Sequence, residues 1–108
     1  MINLLKFNKE YYPLILDGIK TQTLRKNNKR LQAGEIVKAI FPGTTHECCL
    51  EITKTGYKQF KYLNFEDAEL EGYDSVEDLK KDLLNIYPLL DSMSRLYFYR
   101  FKVIEKGG

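Results

Sequence analysis

The run of residues 96–104 limits the possible folds more than any other part of the sequence, because both of its alternating faces are apolar or aromatic. One face would carry Tyr97, Tyr99, Phe101 and Val103, and the other Leu96, Phe98 and Ile104. A strand with one face in water shows such side chains on its other face only. The sequence therefore predicts that this run is a central strand of a sheet.

Other stretches also have the composition of strands. They cover residues 2–7, 20–25, 36–41, an alternating stretch from His46 and a short segment at 57–62. In the stretch from His46, the side chains of Cys48, Leu50 and Ile52 share one apolar face. A Pro-Gly pair at 42–43 separates that stretch from the strand before it, which predicts that these two strands pair with each other.

Two short helices are predicted from capping residues at their ends. Asn8 can cap the first, in which residues 13–17 are the well-formed part and Gly18 is the stop. Asn64 can cap the second, which stops at Gly72. Both therefore lie in the connections between predicted strands.

A third helix shows the clearest periodicity in the chain. Ser75 starts it, with Asp78 three residues later, and Pro88 ends it. Its apolar stripe is predicted to consist of Leu79, Leu83 and Ile86. Strands and helices together give an α+β fold, and 108 residues suit one domain spanning 1–108 with one modest core.

Charge is distributed unevenly along the chain. The net charge is only +2, but residues 1–61 carry eleven Lys or Arg against five acids, whereas residues 62–108 carry six against ten. The molecule is therefore expected to be electrically two-sided. A balance this mild argues against tight, nonspecific binding to long nucleic acid.

Several classes of protein are disfavoured by what the sequence contains. No apolar window is long enough to cross a bilayer, and residues 1–7 are too short for a signal-peptide core, so no membrane association and a cytoplasmic location are expected.

Cys48 and Cys49 are neighbours that point to opposite faces of a strand, which disfavours a disulfide. Together with His46 they do not have zinc-ligand spacing, and neither a metal nor another cofactor is expected.

The segment 16–25 concentrates reactive side chains between a helix and a strand. It contains a glycine turn, two threonine hydroxyls and the cations of Lys20 and Arg25. Junctions of this kind often hold binding sites. On composition alone, an ordinary solvated strand is the more common outcome.

The motifs of this segment resemble the signature of the ASCH domain family. A helix ending in Leu-x-Gly at 16–18 is followed by Lys-Thr-x-Thr-x-Arg at 20–25 and by a Gly-Glu turn at 34–35. The resemblance continues through 71–75, through Ile-Tyr-Pro at 86–88 and into the final aromatic strand. It therefore covers nearly the whole chain.

The resemblance implies both a fold and a function. The implied fold is a small PUA-like β-barrel, mixed, of about five or six strands with two or three flanking helices. The family was first proposed to bind RNA, and this sequence is similar to its small bacterial members that hydrolyse N4-acetylcytidine. The implied activity is an amidohydrolase that converts a modified pyrimidine nucleoside, N4-acetylcytidine, to cytidine plus acetate.

The same resemblance implies roles for individual residues. Lys20 would be the base, Thr23 the nucleophile and Glu71 the proton donor, with Glu69 as the alternative acid. Substrate binding is assigned to the residues around them: Gly18, Thr21, Arg25 and Tyr73.

The chemistry of these residue types sets conditions that a structure must meet. A threonine hydroxyl needs a base, yet Lys20 and Thr23 fall on opposite faces of an ideal strand, so we expect an irregular backbone just after Gly18. A glutamate that donates a proton needs a raised pKa, which requires desolvation at Glu71 to outweigh the nearby cations. Arg25 could either perturb the lysine or hold a substrate carbonyl, phosphate or oxyanion.

Two other functions remain open from the sequence. The first is a module that binds RNA or a nucleotide without chemistry, using aromatic rings and the basic loop with Lys26, Lys29 and Arg30. The rings considered for base stacking are Tyr62, Tyr73, Tyr87 and Tyr97, although packing in the core is the stronger expectation for Tyr97. The second is a regulatory partner protein whose groove has lost its ligand.

Overall fold

A computed structural model describes residues 3–106 of the chain. The strands are β1 (Asn3–Lys6), β2 (Gln22–Arg25), β3 (Ile36–Ile40), β4 (Glu47–Gln59) and β5 (Arg95–Lys106). The helices are α1 (Tyr12–Leu16), α2 (Phe65–Glu71) and α3 (Val76–Ile86), with 3-10 turns at Lys9–Tyr11 and Phe60–Tyr62. Ile2, predicted to begin the first strand, lies outside the described residues.

The five strands form one mixed sheet in the order β1-β3-β4-β5-β2. Strands β1 and β3 are parallel, and the other neighbouring pairs are antiparallel. The sheet curves into a half-barrel whose edge strands are β1 and β2, and three helices flank it. The predicted α+β class is confirmed, and β5 lies between β4 and β2 as the central strand that its two apolar faces predict.

Two apolar cores form on opposite sides of this sheet. The first, the barrel core, includes Leu5, Val37, Leu50 and Tyr99. The helix core packs α2 and α3 against the other side and is formed by Leu24, Leu63, Ala68, Leu79, Leu83, Leu90 and Leu96. Alternation along β5 supplies both cores, since Tyr99 and Phe101 enter one and Leu96 enters the other.

The ends of α2 and α3 follow the capping residues predicted from the sequence, whereas the prediction that Asn8 caps the first helix is wrong, since its side chain makes no capping hydrogen bond and α1 begins at Tyr12. Asn64 and Asp67 form a reciprocal capping box at the start of α2, and Gly72 ends that helix at φ 88°, a left-handed conformation that favours glycine. The hydroxyl of Ser75 accepts from the backbone N–H of Asp78 at the start of α3. The cap at Gly72 makes Glu71 the last residue of α2.

Three other local predictions are wrong. Residues 57–62 are not a separate strand, because residues 57–59 continue β4, which passes through two irregularities and keeps pairing with β5, and residues 60–62 form a 3-10 turn. Strand β2 begins at Gln22 rather than at residue 20. Ile86 leaves the apolar stripe of α3 and is 46% exposed, because it is the last residue of a helix whose buried contacts end at Leu83.

Within residues 3–106, no helix combines the length and the apolar character that crossing a bilayer requires.

The difference between Leu83 and Ile86 can be measured. We expect Leu83→Ala to lower the free energy of unfolding by about 2–5 kcal/mol, because it opens a cavity in the helix core. Ile86→Ala on the same helix should cost less than about 1 kcal/mol, since its side chain is already half in water. Urea denaturation of both variants checks this, and equal costs would contradict the burial pattern.

Candidate active site

A cavity of about 120 Å³ opens at the seam between the half-barrel and the helix layer. Its walls come from the end of β1, the first 3-10 turn, β2, the end of α2 and α3. Five of the residues selected from the sequence line it: Lys20, Thr23, Arg25, Glu71 and Tyr73. The fold therefore brings together side chains that lie up to about fifty residues apart in the sequence.

Gly18 and Thr21, the other two selected residues, do not line this cavity but a groove beside β5, to which Lys20 also contributes. Gly18 has φ 74°, which lets the chain reverse out of α1. The backbone N–H of Thr21 donates to the carbonyl of Leu70 at 2.7 Å, and its carbonyl accepts from Phe101 at 2.9 Å. Both positions therefore anchor the chain as it enters β2.

The backbone between α1 and β2 is irregular, as the chemistry of Lys20 and Thr23 requires. The amides of Ile19 and Lys20 both donate to the carbonyl of Leu14, at 2.9 and 3.0 Å. Regular pairing with β5 begins only at Gln22. Lys20 therefore lies before the regular strand, where side chains do not have to alternate between the two faces, and it lines the same cavity as Thr23.

Lys20 and Glu71 form a buried ion pair. The Nζ atom of Lys20 lies 2.7 Å from Oε1 of Glu71, and each side chain is only 5% exposed. The ammonium also lies 4.9 Å from the centroid of the Tyr11 ring, on its face. Cation–π attraction and the carboxylate together hold the lysine from two sides.

Of the two candidate acids, Glu71 lines the cavity, whereas Glu69 is exposed and does not line it. Burial raises the pKa of Glu71 above its usual range, and the charge of Lys20 only partly opposes this effect. Its Oε2 atom is buried and has no hydrogen-bond partner among the described residues. Desolvation thus makes this carboxyl easier to protonate than an exposed glutamate, and Oε2 remains available to a ligand.

Thr23 and Arg25 are held together on one face of β2. The Nε–H of Arg25 donates to Oγ1 of Thr23 at 3.0 Å, and Nη2 donates to the carbonyl of Lys6 at 2.8 Å. The guanidinium also lies 4.9 Å from the centroid of the Phe7 ring. Burial lowers the pKa of Arg25 from its ordinary value, but a guanidinium starts so high that it stays charged at neutral pH.

Two residues of this site, Tyr11 and Asp82, were not predicted from the sequence. The hydroxyl of Tyr11 donates to Oδ2 of Asp82 at 2.8 Å, and the hydroxyl of Tyr73 donates to the same oxygen. Burial, with Asp82 contributing, raises the pKa of Tyr11 to about 12, and burial likewise raises the pKa of Tyr73. The sequence pattern does not indicate that Tyr11, Tyr73 and Asp82 form a cluster. It places Asp82 on the solvated face of an amphipathic helix and Tyr11 on the apolar face of another helix.

A second polar network lies behind the cavity. Gln22 is fully buried, donates to Asp67 at 3.2 Å and accepts from Nε of Arg100 at 3.0 Å. Lys58 donates to the other carboxylate oxygen of Asp67 at 2.8 Å. This network satisfies the polar groups where α2 meets the sheet. In the described part of the chain, no three His, Cys, Asp or Glu side chains are grouped so that they could hold a metal ion.

Comparison with known proteins gives matches in structure but not in sequence. No family model and no curated protein sequence matches the chain. The ASCH domain from Lactobacillus crispatus JV V101 superposes with a TM-score of 0.80 at 20% identity, covering 96% of this chain and 80% of that one. The chain has the fold of an ASCH domain.

Two further structures support this assignment of the ASCH fold. A protein of Enterococcus faecalis V583 from the family DUF984 has a TM-score of 0.78 at 16% identity, with 98% of this chain and 78% of that chain covered. A tyrosine-to-phenylalanine mutant of the ASCH protein from Zymomonas mobilis has a TM-score of 0.68 at 11% identity, with 92% and 67% covered. The ASCH-type fold implied by the resemblance is thereby confirmed.

The ion pair predicts how stability depends on pH. In Lys20→Met, the charge that opposes the desolvation of Glu71 is gone, so its folded-state pKa rises further above the unfolded value of about 4.3. The carboxyl must then stay protonated in the folded state but ionises on unfolding. Stability is retained below the unfolded pKa and is lost as the pH rises toward the raised folded pKa.

Chemical denaturation between pH 4 and pH 8 checks this. The Lys20→Met variant should lose stability relative to the parent protein as the pH rises. Its matched control, Lys20→Met with Glu71→Gln, removes the titrating group and should remove the additional slope. An unchanged slope in the double variant would show that another group titrates.

Proposed function

We propose that this protein is a metal-free amidohydrolase that acts on an acylated pyrimidine nucleoside, with N4-acetylcytidine as substrate and cytidine plus acetate as products. The observation that supports this most strongly is the composition of one cavity. It contains a buried lysine–glutamate pair and, beside it, a threonine hydroxyl that accepts from an arginine. These are the groups that nucleophilic cleavage of an amide requires.

The size of the cavity supports a small reacting group. Sites that enclose a whole drug-sized ligand measure about 300–1,000 Å³, which is larger than the 120 Å³ present here. An acetylated ring amine would enter, and the ribose would lie at the mouth beside Tyr87 and Ile86, which line the same cavity. The part of the substrate that reacts would then be the part that is desolvated.

The ion pair can supply both the base and the acid. Transfer of the shared proton from Nζ of Lys20 to Glu71 produces a neutral amine and a protonated carboxyl, and burial favours the protonated form of Glu71. The neutral amine of Lys20 then takes the hydroxyl proton of Thr23. Because Oγ1 of Thr23 already accepts from Arg25, its own proton remains free for this transfer.

The bonds change in two stages. In the first stage, Oγ1 of Thr23 attacks the acetyl carbon, the carbon–nitrogen bond breaks, and the leaving N4 takes its proton from Glu71. In the second stage, a water molecule gives a proton to Glu71 and attacks the acetyl carbon. The bond between that carbon and Oγ1 of Thr23 breaks, Oγ1 takes its proton from Lys20, and the acetic acid that is released ionises to acetate. The N–H groups of Arg25 stabilise the oxyanion that forms in each stage.

Binding of RNA without chemistry is the second candidate, and a different surface favours it. Tyr57 is 60% exposed, the guanidinium of Arg95 lies 4.3 Å from its ring centroid, and Arg30 lines the same groove. This groove shares no residue with the cavity.

A groove that does share residues with the cavity is rich in acids, including Glu10, Asp74 and Asp78. Such a mouth repels a polyanion and suits an uncharged nucleoside.

Chromatographic detection of cytidine after incubation with N4-acetylcytidine tests the hydrolase. Thr23→Ala should lower the rate by roughly 1,000-fold or more, because the nucleophile is removed. Thr23→Ser should retain measurable activity, and Lys20→Ala should lose about 100-fold or more of the rate because the base is removed. Thr53→Ala, on the exposed side of β4, is the control and should match the parent protein.

Absence of cytidine with the parent protein would exclude N4-acetylcytidine as the substrate. In that case, binding of a short single-stranded RNA should be measured at several salt concentrations, with Tyr57→Ala as the test variant. Steep salt dependence and weakening by Tyr57→Ala would favour the RNA-binding candidate.

A further inference from the structure

One carboxylate oxygen joins three separate elements at the wall of the cavity. Oδ2 of Asp82, on α3, accepts the hydroxyls of both Tyr11, from the first 3-10 turn, and Tyr73, which follows α2. The two tyrosine oxygens are 3.3 Å apart. All three side chains line the cavity, yet the chemistry proposed above uses none of them.

Each of the two tyrosines lies next to one member of the ion pair, either in space or along the chain. The ring of Tyr11 faces the ammonium of Lys20, 4.9 Å from its centroid. Tyr73 follows Glu71 by two residues, across the left-handed turn at Gly72. Fixing the two hydroxyls therefore fixes the surface on which Lys20 rests and the chain segment that carries Glu71.

We infer that Asp82 is a positioning residue for the Lys20–Glu71 pair and acts through Tyr11 and Tyr73. Its carboxylate sets the angle of the Tyr11 ring beneath the ammonium and ties the end of α2 to α3. The kinetic part of this inference rests on the proposed hydrolase, whereas the geometric part does not.

If Asp82 only held the helices together, its contacts in the folded protein would be the same. Substitution of Asp82 would then lower the stability of the protein, but it would not change the environment of Lys20 or the rate of the chemical step. A positioning residue instead changes both of these in a protein that remains folded. The experiment therefore needs a readout at Lys20 itself.

The direct readout is the ring-current shift of the Lys20 side chain. An aromatic ring facing the end of this side chain moves its CH₂ proton resonances upfield, and carbon–proton NMR of the labelled protein reports this. In Asp82→Asn, we expect the Lys20 resonances to move toward the position typical of free lysine. Glu77→Gln removes a carboxylate from an exposed position of α3 that lines neither the cavity nor the acid-rich groove, and should leave them unchanged. Unchanged Lys20 resonances in folded Asp82→Asn would overturn the inference.

The kinetic readout separates positioning from substrate binding. Asp82→Asn should lower kcat for N4-acetylcytidine by about 10- to 100-fold, since small misplacements of reacting groups cost this much. Its KM should stay close to that of Glu77→Gln. Equal kcat values for the two variants would overturn the inference, and so would an effect confined to KM.

Tyrosine variants make the test independent of whether Asp82→Asn folds. Tyr11→Phe keeps the ring but removes its hydrogen bond to Asp82, and should shift the Lys20 resonances in the same direction as Asp82→Asn. Tyr11→Leu removes the ring and should abolish the upfield shift. If the parent protein releases no cytidine, the hydrolase proposal fails, and the NMR comparison alone decides whether Asp82 positions Lys20.

Discussion

Two opposite charges buried together are the constraint around which the site is arranged. Removing the ammonium of Lys20 and the carboxylate of Glu71 from water is costly, and their attraction offsets this cost only when the contact is short and the surroundings are ordered. The 2.7 Å contact, the Tyr11 ring and the capped end of α2 provide that order. Because an apolar pair of similar volume would often stabilise a fold as well or better, stability alone does not account for a charged pair at this position.

The open sheet explains why this pair has a cavity beside it. Strands β1 and β2 are the edges of the half-barrel and are not neighbours in the sheet. Arg25 spans the gap, since it lies on β2 and donates to the carbonyl of Lys6 on β1. The same side chain holds the hydroxyl of Thr23. One arginine therefore both bridges the seam and orients the hydroxyl proposed as the nucleophile.

Charge distribution around the site agrees with a small, uncharged ligand. The acid-rich second half of the chain supplies Asp74, Asp78 and Asp82, which line the groove that adjoins the cavity. Exposed aromatic and basic side chains around Tyr57 and Arg95 line a different groove. These two grooves therefore differ in charge, which separates the place where chemistry is proposed from the place where a polyanion would be attracted.

The sequence by itself determined the features that depend on short spacings. Alternation along residues 96–104 identified β5, the caps at Asn64 and Ser75 located two helices, and the motif at 20–25 located the site. Tertiary structure alone decided the uninterrupted length of β4, the exposure of Ile86, the position of Thr21 outside the cavity and the joining of Tyr11, Tyr73 and Asp82. The physical reason is that caps and periodicities act between residues a few positions apart, whereas strand register and the packing of α3 against the first helical turn depend on contacts between distant segments, which no local spacing encodes.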